Sequence, residues 1–339
     1  MNKLKLHNLI SSPWILVVLM LLVLTSCATS IKFPVERPAE IDSKGANSIA
    51  VLPFSSGNML PFYFNHNADS KVIVNYIQEQ FQKKILSSGF FTLIAAQSLP
   101  KEGKPNTDAA YDLYIHGNIY NFSNKVEKIL VESEDKKKKE YVFKRKVSLS
   151  VKYQVVHTQT EEILYTTTQH IEEESSEYAT ERELPDFFSL ISSDLNSRIT
   201  TITKKLMPYT TTRSLSLLNY KTKDEATKEA MKTAQQLAKD RYYSQAQQAY
   251  LNIYEQQGIF EAGYNAALLM EATGKLKESE ELMSQLLFST SNKAASKALQ
   301  AIQQEIRYSD RLQYQLNAQK LSAQKTKAPE ESSEAIIKN

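Results

Sequence analysis

The run "YVFKRKVSLSVKYQVV" constrains the fold of this 339-residue chain more than any other stretch of it. Tyr141, Phe143, Val147, Leu149, Val151, Tyr153 and Val155 alternate with Lys144, Lys146, Ser148, Ser150, Lys152 and Gln154. Successive side chains on a strand point to opposite faces, so the pattern predicts one long strand with a buried face and a wet face. A register slip of one residue would turn every apolar group toward solvent. "YDLYIHGNIYNF" keeps the same period on the other side of a hydrophilic tip, "ESEDKKKKE", which predicts a hairpin. "EILYTTTQHI", residues 162–171, adds a third strand rich in β-branched and aromatic side chains.

Two helical patterns flank these strands. Ahead of them, "SIAVLPF", residues 48–54, reads as a buried strand stopped by a proline. The helix that follows starts at a cap, Asp69, and ends at Gly89. Val72, Tyr76, Ile77, Phe81, Ile85 and Leu86 share its apolar face. "FFTLIA" is then a further strand. Behind the hairpin, Phe188, Ile191, Leu195, Ile199, Ile202 and Leu206 form a second helical stripe that Pro208 stops, and "YTTTRSLSLL" predicts a last edge strand. Residues 46–218 therefore predict an α+β domain, a mixed sheet carrying two main helices.

From residue 222 the pattern is helical throughout. "RYYSQAQQAYLNIYEQ" and "GKLKESEELMSQLLFS" align at a spacing of 33: Ala234 with Ala267, Ala246 with Ser279, Tyr250 with Met283, Ile253 with Leu286. Small residues at those places, a turn and a large residue beyond resemble the tetratricopeptide repeat, and predict an all-α domain over 222–320. Arg241 stands where Gly274 marks the second turn. "SNKAASKALQAIQQEIRYSDRLQYQL" supplies a partial third repeat and a capping helix; a plain helical bundle is the competing reading. In tetratricopeptide arrays the first helix of each repeat lines the concave face. The resemblance thus implies partner-binding candidates Lys228, Met231, Gln235 and Lys239 on the first such helix, and Tyr264, Leu268 and Glu271 on the second. Tyr264 is the expected anchor, because aromatic residues dominate binding energy at interface centres; a core tyrosine is the alternative.

The first residues concern location. Eleven apolar residues, Trp14 to Leu24, end close to Cys27, the single cysteine of the chain. A spanning helix needs about 20 apolar residues. Lys3 and Lys5 ahead of a short apolar middle, with small residues behind it, describe a secretory signal over 1–26. Leu24-Thr25-Ser26-Cys27 resembles the bacterial lipobox, in which cleavage precedes the cysteine and its thiol takes a diacylglycerol, whose acyl chains, such as palmitate, enter the membrane. One cysteine also excludes a disulfide within the chain. Residues 27–45 are expected to be an extended tether, since two prolines there oppose a helix. Residues 321–339 are charged and poorly patterned, and are expected to be disordered. Basic and acidic residues number 41 and 38, so nothing suggests a nucleic-acid partner, whose phosphates demand clustered positive charge.

The order "SIAVLPF", helix, "FFTLIA", "YDLYIHGNI" and two further antiparallel strands before a helix resembles the periplasmic domain of two lipoprotein groups. These are the curli secretion-channel lipoproteins and the lipoprotein activators of penicillin-binding proteins. The resemblance covers roughly 46–218 and implies an envelope location. The outer membrane facing the periplasm is favoured, because Ala28 is not the acidic residue that retains lipoproteins in the inner membrane of enteric bacteria. A membrane-spanning hairpin is not expected: Arg145 on a lipid face would cost about 2–4 kcal/mol.

Chemistry-bearing motifs are scarce. His7, His66, His116, His157 and His170 share no zinc-ligand spacing. His116 with Asp112 is read as structural, Glu172 to Glu174 as a solvated patch, and "FSSGN" as a plain loop. No cofactor or metal is expected. The leading reading is a non-catalytic, lipid-anchored envelope protein that binds other envelope proteins through its helical repeats, with the bilayer held through acylated Cys27. An assembly subunit of a secretion channel or regulator of wall synthesis is the alternative, and an envelope hydrolase a second; self-association stays open.

Overall fold

The computed structural model describes residues 29–56, 68–95, 110–132 and 139–327. The signal segment, Cys27, most of the charged hairpin tip and the last part of the tail lie outside them. The chain divides into two compact units, Glu36–Thr210 with Tyr308–Asn339, and Met1–Val35 with Thr211–Arg307. This division departs from the expected split into 46–218 and 222–320.

In the first of these, strands β2 (Ser48–Val51), β4 (Thr92–Ile94), β5 (Leu113–Glu132), β6 (Lys139–His157) and β7 (Ile163–Glu174) lie in the order β4-β2-β5-β6-β7. Short β3 (Ser55–Ser56) also pairs with β5. β2 is parallel to both neighbours, while β5, β6 and β7 are antiparallel. The sheet is therefore mixed, and the long alternating run forms β6. Val147, Leu149, Val151, Tyr153 and Val155 are all fully buried on one face. Tyr141 is 54% exposed, because the hairpin continues beyond the part of the sheet that the core covers.

Helices α1 (Ala68–Ser88) and α2 (Phe187–Leu206) pack on that core. On α1 the buried apolar residues are Ile73, Ile77, Phe81 and Ile85, a strict four-residue spacing. Val72 and Leu86, expected on the same face, are exposed. At 100° per residue each lies one position off the seam, and Ile73 takes the place given to Val72. On α2 the stripe begins at Phe187 rather than Phe188, whose ring instead meets Tyr76 edge-on at 4.9 Å. Asp186 caps α2, accepting from the Phe188 and Ser189 backbone N–H groups.

Two expectations for strands are corrected. The segment read as a tether contains β1 (Thr29–Arg37), in which Thr29, Ile31 and Phe33 alternate with exposed Ser30 and Lys32. The strand read as an edge of the main sheet, β8 (Tyr209–Leu217), pairs with β1 in a separate two-stranded sheet. A two-strand ribbon lets Pro34 occupy β1, since only one side of the strand has to donate to a neighbour.

The other unit holds α3 (Glu225–Lys239), α4 (Tyr243–Gln257), α5 (Phe260–Ala272) and α6 (Leu276–Thr290), with successive helices packed on one another. The 33-residue spacing recurs in the backbone itself: α4 and α6 begin and end 33 residues apart. Their N-caps Tyr242 and Lys275 have φ/ψ of −79/59° and −86/60°, and their C-caps Gly258 and Ser291 are both left-handed. Ala246 and Ser279, Tyr250 and Met283, and Ile253 and Leu286 are buried pairwise. Helix α7 (Lys293–Lys327) is one continuous helix where a partial repeat and a separate cap were expected. It carries residues 321–327, expected in a disordered tail, as helix.

Arg241 adopts φ 66° where its counterpart Gly274 has 81°. The turn survives without its glycine, at the cost of a Cβ in the left-handed region, about 1 kcal/mol. Arg241→Gly is expected to stabilise this unit by about 0.5–1 kcal/mol, part of the gain being offset by the looser unfolded chain. Gly274→Ala, whose new methyl would meet nothing within 4 Å, should lose a similar amount through φ alone. Thermal unfolding of both variants checks this: equal melting temperatures would remove the strain.

Candidate interaction site

The face expected to bind a partner is largely covered by the chain's own ribbon. Leu215 and Leu217 of β8, with Ile31 and Phe33 of β1, share one core with Met231 of α3 and Leu268 of α5. Asn265, fully buried on α5, accepts from the Leu218 N–H at 2.7 Å and donates to the Leu218 carbonyl at 2.8 Å. It also hydrogen-bonds Tyr250, whose hydroxyl burial pushes up to about 12. Two residues before buried Leu215, Arg213 pairs with Glu271 through Nε and with Glu305 through Nη1 at 3.1 Å. The Glu271 and Glu305 side chains are 2% and 7% exposed, so the guanidinium sits between two carboxylates largely out of water. At the start of α4, the Tyr243 hydroxyl donates to the Lys32 carbonyl at 2.9 Å.

The seven candidates consequently separate. Met231, Leu268 and Glu271, expected to face outward, are buried at 6%, 4% and 4% exposure. The cause is the ribbon, which takes up the apolar and charged groups that a bare helical face would present. Tyr264 is half-buried against the same core, with Phe260 at 5.9 Å, and burial raises its hydroxyl pKa. Lys228, Gln235 and Lys239 remain at the surface and are brought together. They line a cavity of about 310 Å³ with Thr29, Tyr220 and Lys232. Gln235 donates to Asn219 at 2.7 Å. Lys228 pairs with Glu225 at 3.1 Å and Lys232 with Glu229 at 3.5 Å, both one turn away and exposed.

Solved structures similar to this chain score low. A PelC dodecamer from Paraburkholderia phytofirmans is 10% identical over 53% of this chain and 98% of its own, with a TM-score of 0.29. A lipoprotein from Neisseria meningitidis is 10% identical over 47% of this chain and 97% of its own, TM-score 0.28. A minor lipoprotein from Acinetobacter baumannii is 11% identical over 47% and 91%, TM-score 0.25. No protein-family model matches the sequence, and no curated protein does.

Sequence reasoning passed over Arg213, Asn265 and Thr29. Two of them carried a signal: Arg213 is the one charge in "YTTTRSLSLL", and Asn265 is a lone amide in the middle of the apolar "GYNAALLM". Buried polar groups are hydrogen-bonded, so an isolated amide in an apolar helix marks a partner arriving from elsewhere.

Other polar groups join elements of the sheet. Asp112 accepts from Asn47 N–H, Ser48 N–H and Ser48 Oγ at 2.8, 3.0 and 2.9 Å, which ties the start of β2 to β5. His116 is half-buried, and burial, followed by Lys152, lowers its pKa. Glu172 and Glu174 pair across the sheet with Lys146 at 2.7 and 3.2 Å, and Glu174 also with Lys144. Among the described residues no group of three or more His, Cys, Asp or Glu could hold a metal, and no helix is long and apolar enough to cross a membrane.

Proposed function

We propose that this chain is a lipid-anchored cell-envelope protein, held by acyl chains on Cys27, whose tetratricopeptide-like helical pairs hold partner proteins without catalysing a reaction. The observation that carries the reading is the 33-residue recurrence of helix ends, buried positions and left-handed turns in α3–α6, the construction of a stacked helical repeat. The lipobox-like Leu24–Cys27 supports the anchor, and Ala28 favours the outer membrane facing the periplasm.

Because the ribbon occupies the face of α5, the protein contact falls on the outer helices. Phe288 on α6 is 93% exposed, an aromatic side chain with almost no contact of its own. A photo-crosslinking amino acid placed at Phe288 in intact cells is expected to yield a discrete protein adduct. Phe288→Ala should then weaken binding of that purified partner about thirtyfold, the loss typical of an aromatic anchor. Its melting temperature should not change. Adducts at neither Phe288 nor the exposed Tyr242, from a normally folded and expressed chain, would count against the reading.

A further inference from the structure

We infer that Lys228, Lys232 and Lys239 form a membrane-contact surface, seated on the phosphate-bearing headgroups of the bilayer in which the chain is anchored. The inference rests on the lipid anchor of the proposed function and adds a second, electrostatic contact to it.

Three observations lead there. Thr29 lines the same cavity as the three lysines. Cys27 precedes Thr29 by two residues, so their Cα atoms are at most about 7 Å apart in any conformation. An acyl anchor on Cys27 therefore tethers this cavity within a few residues' reach of the bilayer surface. The third observation is the alignment of the lysines. Positions i, i+4 and i+11 fall within about 40° of one another on a helix, and Gln235, at i+7, lies about 20° to one side of them. The whole stripe faces one way.

Charge and polarity fit that occupant. Lys228 and Lys232 are shared with Glu225 and Glu229, but exposed pairs of this kind hold at most about 1 kcal/mol and exchange readily for a phosphate. The cavity is lined mainly by amide, hydroxyl and ammonium groups, with Met231 largely buried, so it offers little to an apolar peptide. A lysine held near an anionic leaflet gains about 1 kcal/mol, and the gain dies within a Debye length, so only groups tethered this close collect it.

The test is lysine acetylation of the intact, membrane-extracted protein, read residue by residue by mass spectrometry. The protein is reconstituted into vesicles of phosphatidylglycerol and phosphatidylethanolamine, or of phosphatidylcholine alone. Acetylation of Lys228, Lys232 and Lys239 is expected to be about fivefold slower in the anionic vesicles. The difference should vanish at about 0.5 M salt. Exposed Lys277 on α6 should react alike in both. Equal rates at the stripe on a chain that carries acyl mass and sits in both vesicles overturn the inference while leaving the anchor intact. Protection in intact cells but not in vesicles assigns the stripe to a protein partner and overturns it too. A purified chain without acyl mass on Cys27 overturns the anchor, and with it this inference, and is read from the mass alone.

Discussion

A methyl group at Gly117 is expected to cost the sheet unit about 3 kcal/mol, the upper end of what overpacking a core usually costs. Gly117 lies on β5 directly opposite Tyr153 of β6. A Cβ there would overlap the Lys152 carbonyl oxygen and the edge of the Phe54 ring, with Phe54 Cδ1 at 2.8 Å. Neither neighbour can give way cheaply. Lys152 sits in β6 with a partner strand on each side, Asn118 opposite it on β5 and Thr168 on β7. Phe54 is wedged between Phe81 and Tyr153, with ring centroids at 6.1 and 5.8 Å. Denaturant unfolding of Gly117→Ala followed by far-ultraviolet circular dichroism measures the loss; the one tryptophan, Trp14, lies in the expected signal segment and is no probe. Adding Phe54→Leu should relieve only the ring clash and restore part of the stability. A loss below about 1 kcal/mol would mean that β5 and β6 do not approach this closely.

Arg213→Met should be of similar size in the helical unit, about 3–5 kcal/mol, because it leaves Glu271 and Glu305 without the guanidinium between them in a site that water barely reaches. The loss reflects two carboxylates held largely out of water without a matching cationic charge more than the value of the ion pairs. Replacing the whole cluster, Arg213→Met with Glu271→Leu and Glu305→Leu, is therefore expected to recover most of it, since a well-packed apolar set often matches a buried ionic one. Thermal and denaturant unfolding of the single and triple variants tests both statements. A triple variant as unstable as the single one would show that the ion pairs themselves, and not the avoidance of buried charge, hold β8 against the helices.

Local periodicity made much of the architecture readable. The period-two run from Tyr141 to Val155 was legible as one long strand because each pleat position repeats the same choice between core and water. The 33-residue spacing was legible as paired helices because stacked units must bury equivalent positions, which keeps Ala234 in step with Ala267 and Ile253 with Leu286. In both cases neighbouring residues carry the information. That held even at Arg241, where the composition of the turn departs from its counterpart but its backbone does not.

What the tertiary structure alone decided is non-local. Nothing in "TSIKFPVER" or "YTTTRSLSLL" names the other as its pairing partner, and they stand some 180 residues apart, as the Ser30–Ser214 hydrogen bond shows. An alternating strand specifies that one face will be covered, not by what. Once β8 had joined β1 rather than the main sheet, the ribbon covered α5. Leu268 and Glu271, which on an isolated helix read as an open binding face, were buried against it. Sequence periodicity counts apolar residues, so it could not foresee that a buried glutamate would be matched by an arginine 58 residues upstream. The same long-range pairing left the α3 lysines beside Thr29, because the position of the ribbon's first residue depends on strand pairing, which no local pattern records.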